Sequence, residues 1–152
     1  MTTVFDRAWI AAHIPHQGSM CLLDSVEAYD AQQVRCIARS HRSANNPLRA
    51  RGRLAAASGI EYAAQAMAVH GGLLAQAPGA VPRSGMLVAL RDVFLHVDRI
   101  DDLPGALECE AQQLATGEAS QVYAFRIVHQ QQLLAEGRAT VMLGASDEAA
   151  GA

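Results

Sequence analysis

One long alanine-rich segment, residues 54–76, constrains the fold of this chain more than any other feature. Its sequence, LAAASGIEYAAQAMAVHGGLLAQ, contains no proline. Apolar and small residues recur at helical spacing along one face: Ile60, Ala64, Met67, Gly71 and Leu74. We therefore predict a helix about 33 Å long, at about 1.5 Å per residue. Ser58 and Gly59 near its start can shift the true N-terminus by a few residues. The small side chains favour a helix that other elements enclose closely.

Strand-like segments lie on both sides of this helix. Two precede it, at 20–30 and 32–40, after a short amphipathic N-terminal helix. Four follow it, and the later ones are separated by short turns: 86–97, 106–115, 120–129 and 133–143. Short turns favour an antiparallel meander. A single sheet needs a covered face, and one long helix fits across it. The chain is therefore predicted to be α+β, a hotdog fold in which an antiparallel sheet wraps around one long central helix.

The 152 residues are predicted to form a single hotdog domain over 1–143, followed by a disordered tail over 144–152. No apolar run approaches the length of about 20 residues that a membrane helix needs, and the N-terminus lacks a signal-peptide layout. We expect a cytoplasmic protein that does not bind a membrane. Three widely spaced cysteines, without a CxxC pair, predict free buried thiols. His13 and His16 have Pro15 between them, so we expect no metal site.

Basic charge is concentrated before the helix. The chain contains no lysine, and six of its twelve arginines lie between Ala31 and Ile60, where there is no acidic residue. A positive segment of this kind indicates an anionic partner. The alternative is a solvated loop whose charges are balanced by acids that are distant in sequence. We expect no nucleic-acid partner.

Two motifs carry a family resemblance. The segment IPHQGSMCLLDSV (14–26) resembles the N-terminal motif LPHRYPFLLVDRV of the dehydratases that act on 3-hydroxyacyl groups of acyl carrier protein. The segment GIEYAAQAMA (59–68) resembles the EAMAQA helix of that family, with Glu61 and Gln65 at the positions of its Glu and Gln. More narrowly, LVALRDVFLHVDRIDDLPG and LLAEGRATVML are similar to the dehydratase-like hotdog proteins of aryl polyene biosynthesis clusters.

The chain departs from this family at the catalytic histidine. The family places it in a GHFPG segment fourteen residues before the glutamate, and here that position is Pro47. The loop NNPLRARGRL contains no histidine, so a base must come from elsewhere. His16 is the best substitute, and its alternative is a structural role in the turn after Pro15. His41 is a weaker candidate. The remaining histidines after the loop are expected to be structural: His70, His96 and His129.

The resemblance implies the rest of the site. Glu61 is expected to be the catalytic acid, against the alternative of an exposed or capped helix residue. Gln65, one turn on, is expected to lie at the substrate site and to orient Glu61, or else to face solvent. Backbone N–H groups around Ala56 are the expected donors to the substrate carbonyl. The arginines of the loop are expected to hold the acidic carrier protein or its phosphopantetheine phosphate: Arg49, Arg51 and Arg53.

The implied function is dehydration of 3-hydroxyacyl thioesters of acyl carrier protein to enoyl thioesters, in fatty acid or aryl polyene biosynthesis. One alternative is an acyl thioesterase, which also uses a carboxylate near this helix. Another is a non-catalytic hotdog subunit of a heteromeric dehydratase. The expected assembly is a dimeric unit, a homo-oligomer or a heteromer with another hotdog protein. No cofactor is expected beyond the phosphopantetheine that carries the substrate.

Overall fold

The structure, a computed structural model, describes residues 3–80 and 83–146. The helices and strands of this part of the chain are, in order, β1 (Phe5–Asp6), α1 (Arg7–His13), β2 (Ser25–Tyr29), β3 (Gln33–Ala38), α2 (Gly59–Leu74), β4 (Arg83–Leu95), β5 (Leu107–Thr116), β6 (Ser120–His129) and β7 (Gln132–Ser146). Single 3₁₀ turns precede β2, follow β3 and lead into α2: Gly18–Met20, Ser40–Arg42 and Ala56–Ser58.

All the strands join one antiparallel sheet in the order β1-β2-β3-β5-β6-β7-β4. The sheet encloses α2, and the core lies between them, where residues such as Tyr62, Cys36, Phe125 and Ile127 have almost no exposed surface. A sheet that curls around one helix buries one face of each strand and most of the helix, which is the packing an alanine-rich helix permits. The predicted α+β hotdog fold is confirmed.

The predicted meander is wrong at β4. This strand follows α2 in the sequence but pairs with β7 at the end of the sheet, so it does not neighbour β5. The reason lies in the connection between β4 and β5. Its backbone binds the residues before α2: Ala56 N–H donates to Asp98 O over 2.9 Å, and Ile100 N–H donates to Leu54 O over 2.9 Å. The segment between β4 and β5 therefore runs past the start of α2, and β5 then pairs with β3.

Helix α2 is shorter at its start than predicted, and its buried side differs from the predicted face. It begins at Gly59, after a 3₁₀ turn, rather than at Leu54. Of the predicted face only Met67 is buried. The buried set contains the larger apolar side chains together with alanines and two polar residues: Gly59, Tyr62, Ala63, Gln65, Ala66, Met67, Val69, His70 and Leu73. Burying Tyr62 and Leu73 removes more apolar surface from water than burying Ala64 or Gly71 would, which favours this side of the helix.

Other boundaries differ at the strand ends. The first predicted strand, 20–30, forms β2 only from Ser25, because Gly18–Met20 is a 3₁₀ turn. Strand β7 continues to Ser146 by pairing with Arg83, so the first three residues of the predicted tail are strand. Residues 147–152, the rest of that predicted tail, lie outside the described residues. Within the described part of the chain, neither helix is long and apolar enough to cross a membrane.

The three cysteines are free and buried, as the sequence predicted. Cys36 on β3 and Cys109 on β5 are cross-strand neighbours in the core. Burial raises the pKa of the Cys36 thiol to about 12, because the apolar surroundings disfavour the thiolate. At physiological pH this thiol therefore behaves as a small hydrophobic group.

Candidate active site

Glu61 and His16 lie in direct contact. Glu61 is in the first turn of α2, and its Oε1 is 3.1 Å from Nε2 of His16. The side chain of Glu61 is 35% exposed and that of His16 is 25% exposed, so a substrate can reach both. The predicted approach of His16 to Glu61 is observed, and the catalytic role of each remains a prediction. An imidazole and a carboxyl group at this distance can share one proton.

Gln65 supports this pair from the buried side of α2. Its side chain is fully buried, and its amide oxygen accepts a hydrogen bond from Leu22 N–H over 2.9 Å. Its amide nitrogen donates to Met20 O over 2.7 Å and lies 3.3 Å from Oε1 of Glu61. These bonds tie α2 to the segment that follows His16. The expected contact of Gln65 with Glu61 is therefore observed, but a substrate-binding role is not, because its amide is already occupied by the protein.

The second ring nitrogen of His16, Nδ1, is unpaired within the described part of the chain. Nδ1 is buried and makes no hydrogen bond to any of the described residues. A buried polar atom without a partner costs free energy, roughly 1–3 kcal/mol.

The other histidines bind elsewhere. His41 is fully buried, and its Nε2 contacts Leu103 O at 2.9 Å. Burial lowers the pKa of His41, so the ring is neutral near pH 7. His70 bonds Tyr123 Oη and the backbone of Asp30, and burial lowers its pKa as well. His129 contacts Pro104 O, and His96 contacts the carboxylate of Glu136. These contacts are structural, and none of them is with Glu61.

The expected carbonyl donors before α2 need correction. The N–H of Ala56 donates to Asp98 O over 2.9 Å, so it is not available to a substrate. The N–H of Ser58 is also committed, to Ala55 O over 3.0 Å. Ala57 lies between them and is exposed, at the point where the 3₁₀ turn enters α2. Of the expected donors around Ala56, the N–H of Ala57 is therefore the remaining candidate for a substrate carbonyl.

The three loop arginines divide into two groups. Arg49 belongs to the loop itself: its guanidinium donates to Ser43 O over 2.7 Å and to Gly52 O over 2.8 Å, and it is 17% exposed. A ligand-binding role for Arg49 is therefore corrected to a structural one. Arg51 and Arg53 are exposed on a tight hairpin closed by Ala50 N–H and Arg53 O at 2.8 Å. Arg51 and Gly52 both have positive φ, 54° and 73°, as the two central residues of a type I′ turn.

Sequence reasoning missed two polar anchors. Asp101 accepts hydrogen bonds from Leu54 N–H at 2.9 Å and from the Arg99 guanidinium, which holds the pKa of this carboxyl well below its usual range. Tyr62, next to Glu61, contacts Ser40 Oγ at 2.7 Å and Asn46 at 3.0 Å. Asp101 thus binds the end of the loop before α2 at Leu54, and Tyr62 binds α2 to the start of that loop at Ser40 and Asn46. The double Asp in the turn after β4 was the available signal for Asp101, and it was interpreted only as a turn.

Comparison with known families gives one match over most of the chain. A family described as "ApeP-like: ApeP dehydratase" matches residues 8–150. No curated protein matches the sequence.

Solved structures agree on the fold. One chain of the dehydratase heterocomplex ApeI:P from Xenorhabdus doucetiae superimposes with a TM-score of 0.80 at 22% identity, covering 93% of this chain and 95% of that one. Thioesterase superfamily member 2 from zebra fish gives a TM-score of 0.61 at 17% identity, covering 91% and 95%. A thioesterase from Haemophilus influenzae gives 0.57 at 13% identity, covering 79% and 77%. At these identities the likeness establishes the hotdog fold.

Proposed function

The chain belongs to the ApeP-like dehydratase family, and we propose that it takes part in removing water from 3-hydroxyacyl thioesters of acyl carrier protein. The single observation that carries this proposal is the contact between His16 and Glu61 at 3.1 Å, on a buried Gln65 support. The resemblance of the two motifs to dehydratases, in aryl polyene clusters in particular, supports the substrate class. A cytoplasmic location follows from that class as an expectation.

The proposed reaction assigns one proton transfer to each side chain. Nε2 of neutral His16 takes the proton from the carbon beside the thioester carbonyl, while the protonated Glu61 gives its proton to the departing hydroxyl. The carbon–oxygen bond breaks, a double bond forms between the two carbons, and water leaves. His16 is then protonated and Glu61 ionised. Because they are in contact, the proton returns from His16 to Glu61 directly, which restores the site for the next substrate.

The thioester carbonyl gains negative charge during this reaction and needs a donor. We propose the N–H of Ala57, at the N-terminal end of α2, where the backbone dipoles of the helix also favour negative charge. This donor lies on the same turn of chain that leads to Glu61. The geometry thus requires no arginine at the reacting atoms.

A second hotdog chain is part of the proposal. Two cavities of about 380 Å³ in the described part of the chain lie elsewhere, and neither is lined by Glu61 or His16. The edge strand β4 exposes large apolar side chains, with Met86 69% and Phe94 56% exposed. A second chain that extended the sheet at β4 would bury them and enclose an acyl group. The likeness to a chain of the ApeI:P heterocomplex supports a heteromer over a homodimer.

The exposed arginines Arg51 and Arg53 fit capture of the acidic carrier protein. Exposed charges act at long range and are screened by salt. We expect Arg51→Gln with Arg53→Gln to slow association several-fold at low ionic strength and to have little effect at high ionic strength. Measuring association rates at both salt concentrations tests this, with Arg49 left unchanged because it holds the loop together.

The experiment that tests the function is incubation with 3-hydroxyacyl carrier protein, followed by intact mass. The chain is used alone and after co-expression with a candidate hotdog partner. Loss of one water supports the dehydratase. Loss of the whole acyl group indicates the thioesterase alternative. No change in either preparation refutes both.

The non-catalytic partner alternative is kept because the structural likeness is to one chain of a heterocomplex. Under that alternative the second protein supplies all the reacting groups. Dehydration by the complex that survives removal of both Glu61 and His16 from this chain would establish it.

A further inference from the structure

A polar cavity next to the candidate active site carries two arginines. Its volume is about 380 Å³, and it lies between the start of α1, the segment before β2 and the loop after β3. The lining groups that matter here come from all three: Arg7, Ser19, Asp24, Arg39 and Asn45. The cavity is open to solvent on one side, because Ser19, Arg39 and Asn45 are exposed.

The charges in this cavity do not cancel. Asp24 accepts the backbone N–H of Arg39 through Oδ2 at 2.6 Å, and its Oδ1 lies 3.8 Å from Nη1 of Arg7. Arg7 also donates to Gly18 O over 3.1 Å. The guanidinium of Arg39 makes no ion pair or hydrogen bond to any of the described residues. The lining therefore contains two arginines and one carboxylate, a formal charge of +1 that is available to a ligand.

The cavity and the catalytic pair share one framework. Cys21 lines the cavity, and its neighbours Met20 and Leu22 are the residues whose backbone binds Gln65. Ser40, on the opposite wall, donates to Leu22 O over 2.8 Å. Gln65 in turn contacts Glu61. A ligand in the cavity is thus held by the same short segment that positions the candidate acid.

We propose that this cavity binds the phosphate of the phosphopantetheine arm, with Arg39 as its main ligand and Arg7 beside it. This inference rests on the proposed function, because it needs a substrate carried on that arm. The phosphodiester carries one negative charge, which matches the one uncompensated positive charge. A guanidinium fork donates two parallel hydrogen bonds to phosphate oxygens, and Ser19 and Asn45 offer further donors. The site differs from the expected phosphate ligands Arg49, Arg51 and Arg53.

The test compares Arg39→Gln with a matched control, Arg42→Gln. Both arginines are exposed and lie three residues apart at the same 3₁₀ turn, but only Arg39 lines the cavity. Binding is measured by calorimetry with holo carrier protein, with apo carrier protein that lacks the arm, with phosphopantetheine alone and with inorganic phosphate. Arg39 is a cleaner probe than Arg7, since Arg7 also supports Gly18.

The proposal predicts that Arg39→Gln lowers the affinity for holo carrier protein and for phosphopantetheine by about tenfold. This is the usual scale for the loss of a charge-assisted hydrogen bond. Apo carrier protein should bind the variant and the wild type equally, and Arg42→Gln should change none of these affinities by more than about twofold. An equal loss for apo carrier protein means that Arg39 contacts the carrier surface, which overturns the proposal. Inorganic phosphate binding as tightly as phosphopantetheine overturns it as well.

Repeating the measurement in a Glu61→Gln background separates this site from the reaction. That change removes the transferable proton and leaves the cavity residues intact. If the chain with Glu61 intact shows no dehydration but Arg39→Gln still weakens binding of holo carrier protein selectively, the proposed reaction is wrong and the phosphate site stands. If dehydration occurs and Arg39→Gln leaves holo binding unchanged, the phosphate site alone is wrong.

Discussion

The two edges of the sheet differ in how completely the chain covers them. At the β1 edge, α1 packs on the end of α2 near Gly72, and Phe5 stacks on Trp9 with ring centroids 4.4 Å apart. At the β4 edge, large apolar side chains remain exposed: Met86, Leu87, Val88, Leu90, Phe94 and Leu95. The covered side carries His16 and the Gln65 support. The chain can therefore position its own candidate catalytic groups, whereas at the uncovered side we propose that a second chain completes the structure.

The largest expected effect comes from the covered side, at Glu61. Glu61→Gln keeps the shape and removes the proton that the proposed reaction transfers. Turnover in the native assembly should fall by about 10²–10⁴-fold, the usual contribution of general acid–base catalysis. Steady-state dehydration kinetics measure this, and thermal unfolding should show stability unchanged.

The matched control for Glu61→Gln is Glu118→Gln. Glu118 is an exposed glutamate in the turn between β5 and β6, and it should be replaceable without loss of turnover. Full activity of Glu61→Gln would assign Glu61 to a structural role on the helix surface.

On the uncovered side, a charge on β4 should prevent assembly. Leu90→Glu places a carboxylate among apolar side chains that the second chain would bury. The dissociation constant of the two chains should therefore rise about 30-fold or more, as it does when a buried interface residue is lost. Sedimentation of the two chains at several concentrations measures this. Val4→Glu makes the same kind of change at the opposite edge, where Val4 is 46% exposed, and should leave assembly intact. Equal dissociation by both variants would remove the distinction between the two edges.

Removing the Gln65 amide should lower both the stability of the chain and its turnover. Gln65→Leu leaves Leu22 N–H and Met20 O without their buried partner, which should cost about 1–3 kcal/mol of unfolding free energy. The same change removes the contact between Gln65 and Glu61, so turnover should fall as well. The variants Gln65→Glu and Gln65→Met should not retain both wild-type stability and wild-type turnover. Urea unfolding and kinetics on the same samples check the two effects. A change in kinetics with no change in stability would contradict the support role.

The smallest expected effect concerns pH and Asp101, which anchors Leu54 before α2. Its pKa is lowered in the folded state, chiefly by the Arg99 hydrogen bond, so the folded chain binds fewer protons than the unfolded one. This stabilisation is complete above the ordinary aspartate pKa of about 3.9 and is lost as the pH falls towards the lower folded value. Asp101→Asn should therefore differ most from wild type at neutral pH and least in strong acid.

Urea midpoints at a series of pH values measure the Asp101 effect. Asp102→Asn is the control, because Asp102 is exposed and 3.8 Å from Arg99. If the difference in urea midpoint between wild type and Asp101→Asn does not change with pH, the proposed contribution of the Asp101 carboxylate to stability is refuted.

Prediction from the sequence was accurate where the signal is local. The alanine-rich helix and the spacing of Glu61 and Gln65 are properties of neighbouring residues, and these were confirmed in the structure. The pairing of β4 with β7 and the hydrogen bond of Ala56 to Asp98 join residues 40 or more positions apart. Such contacts depend on how the sheet closes around α2, which no local pattern encodes. The structural role of Arg49 was missed for another reason: its acceptors Ser43 O and Gly52 O are near in sequence, but the loop conformation that brings them to the guanidinium was not predicted.

The central claim is that this chain's own His16 and Glu61 form the catalytic pair. The most direct test is turnover of His16→Ala in the native assembly with an unmodified partner chain. Our account predicts a loss of about 10²-fold or more, the lower end of what general base catalysis contributes, with assembly unchanged. Full activity would contradict it, and would assign the histidine of the site to the partner chain.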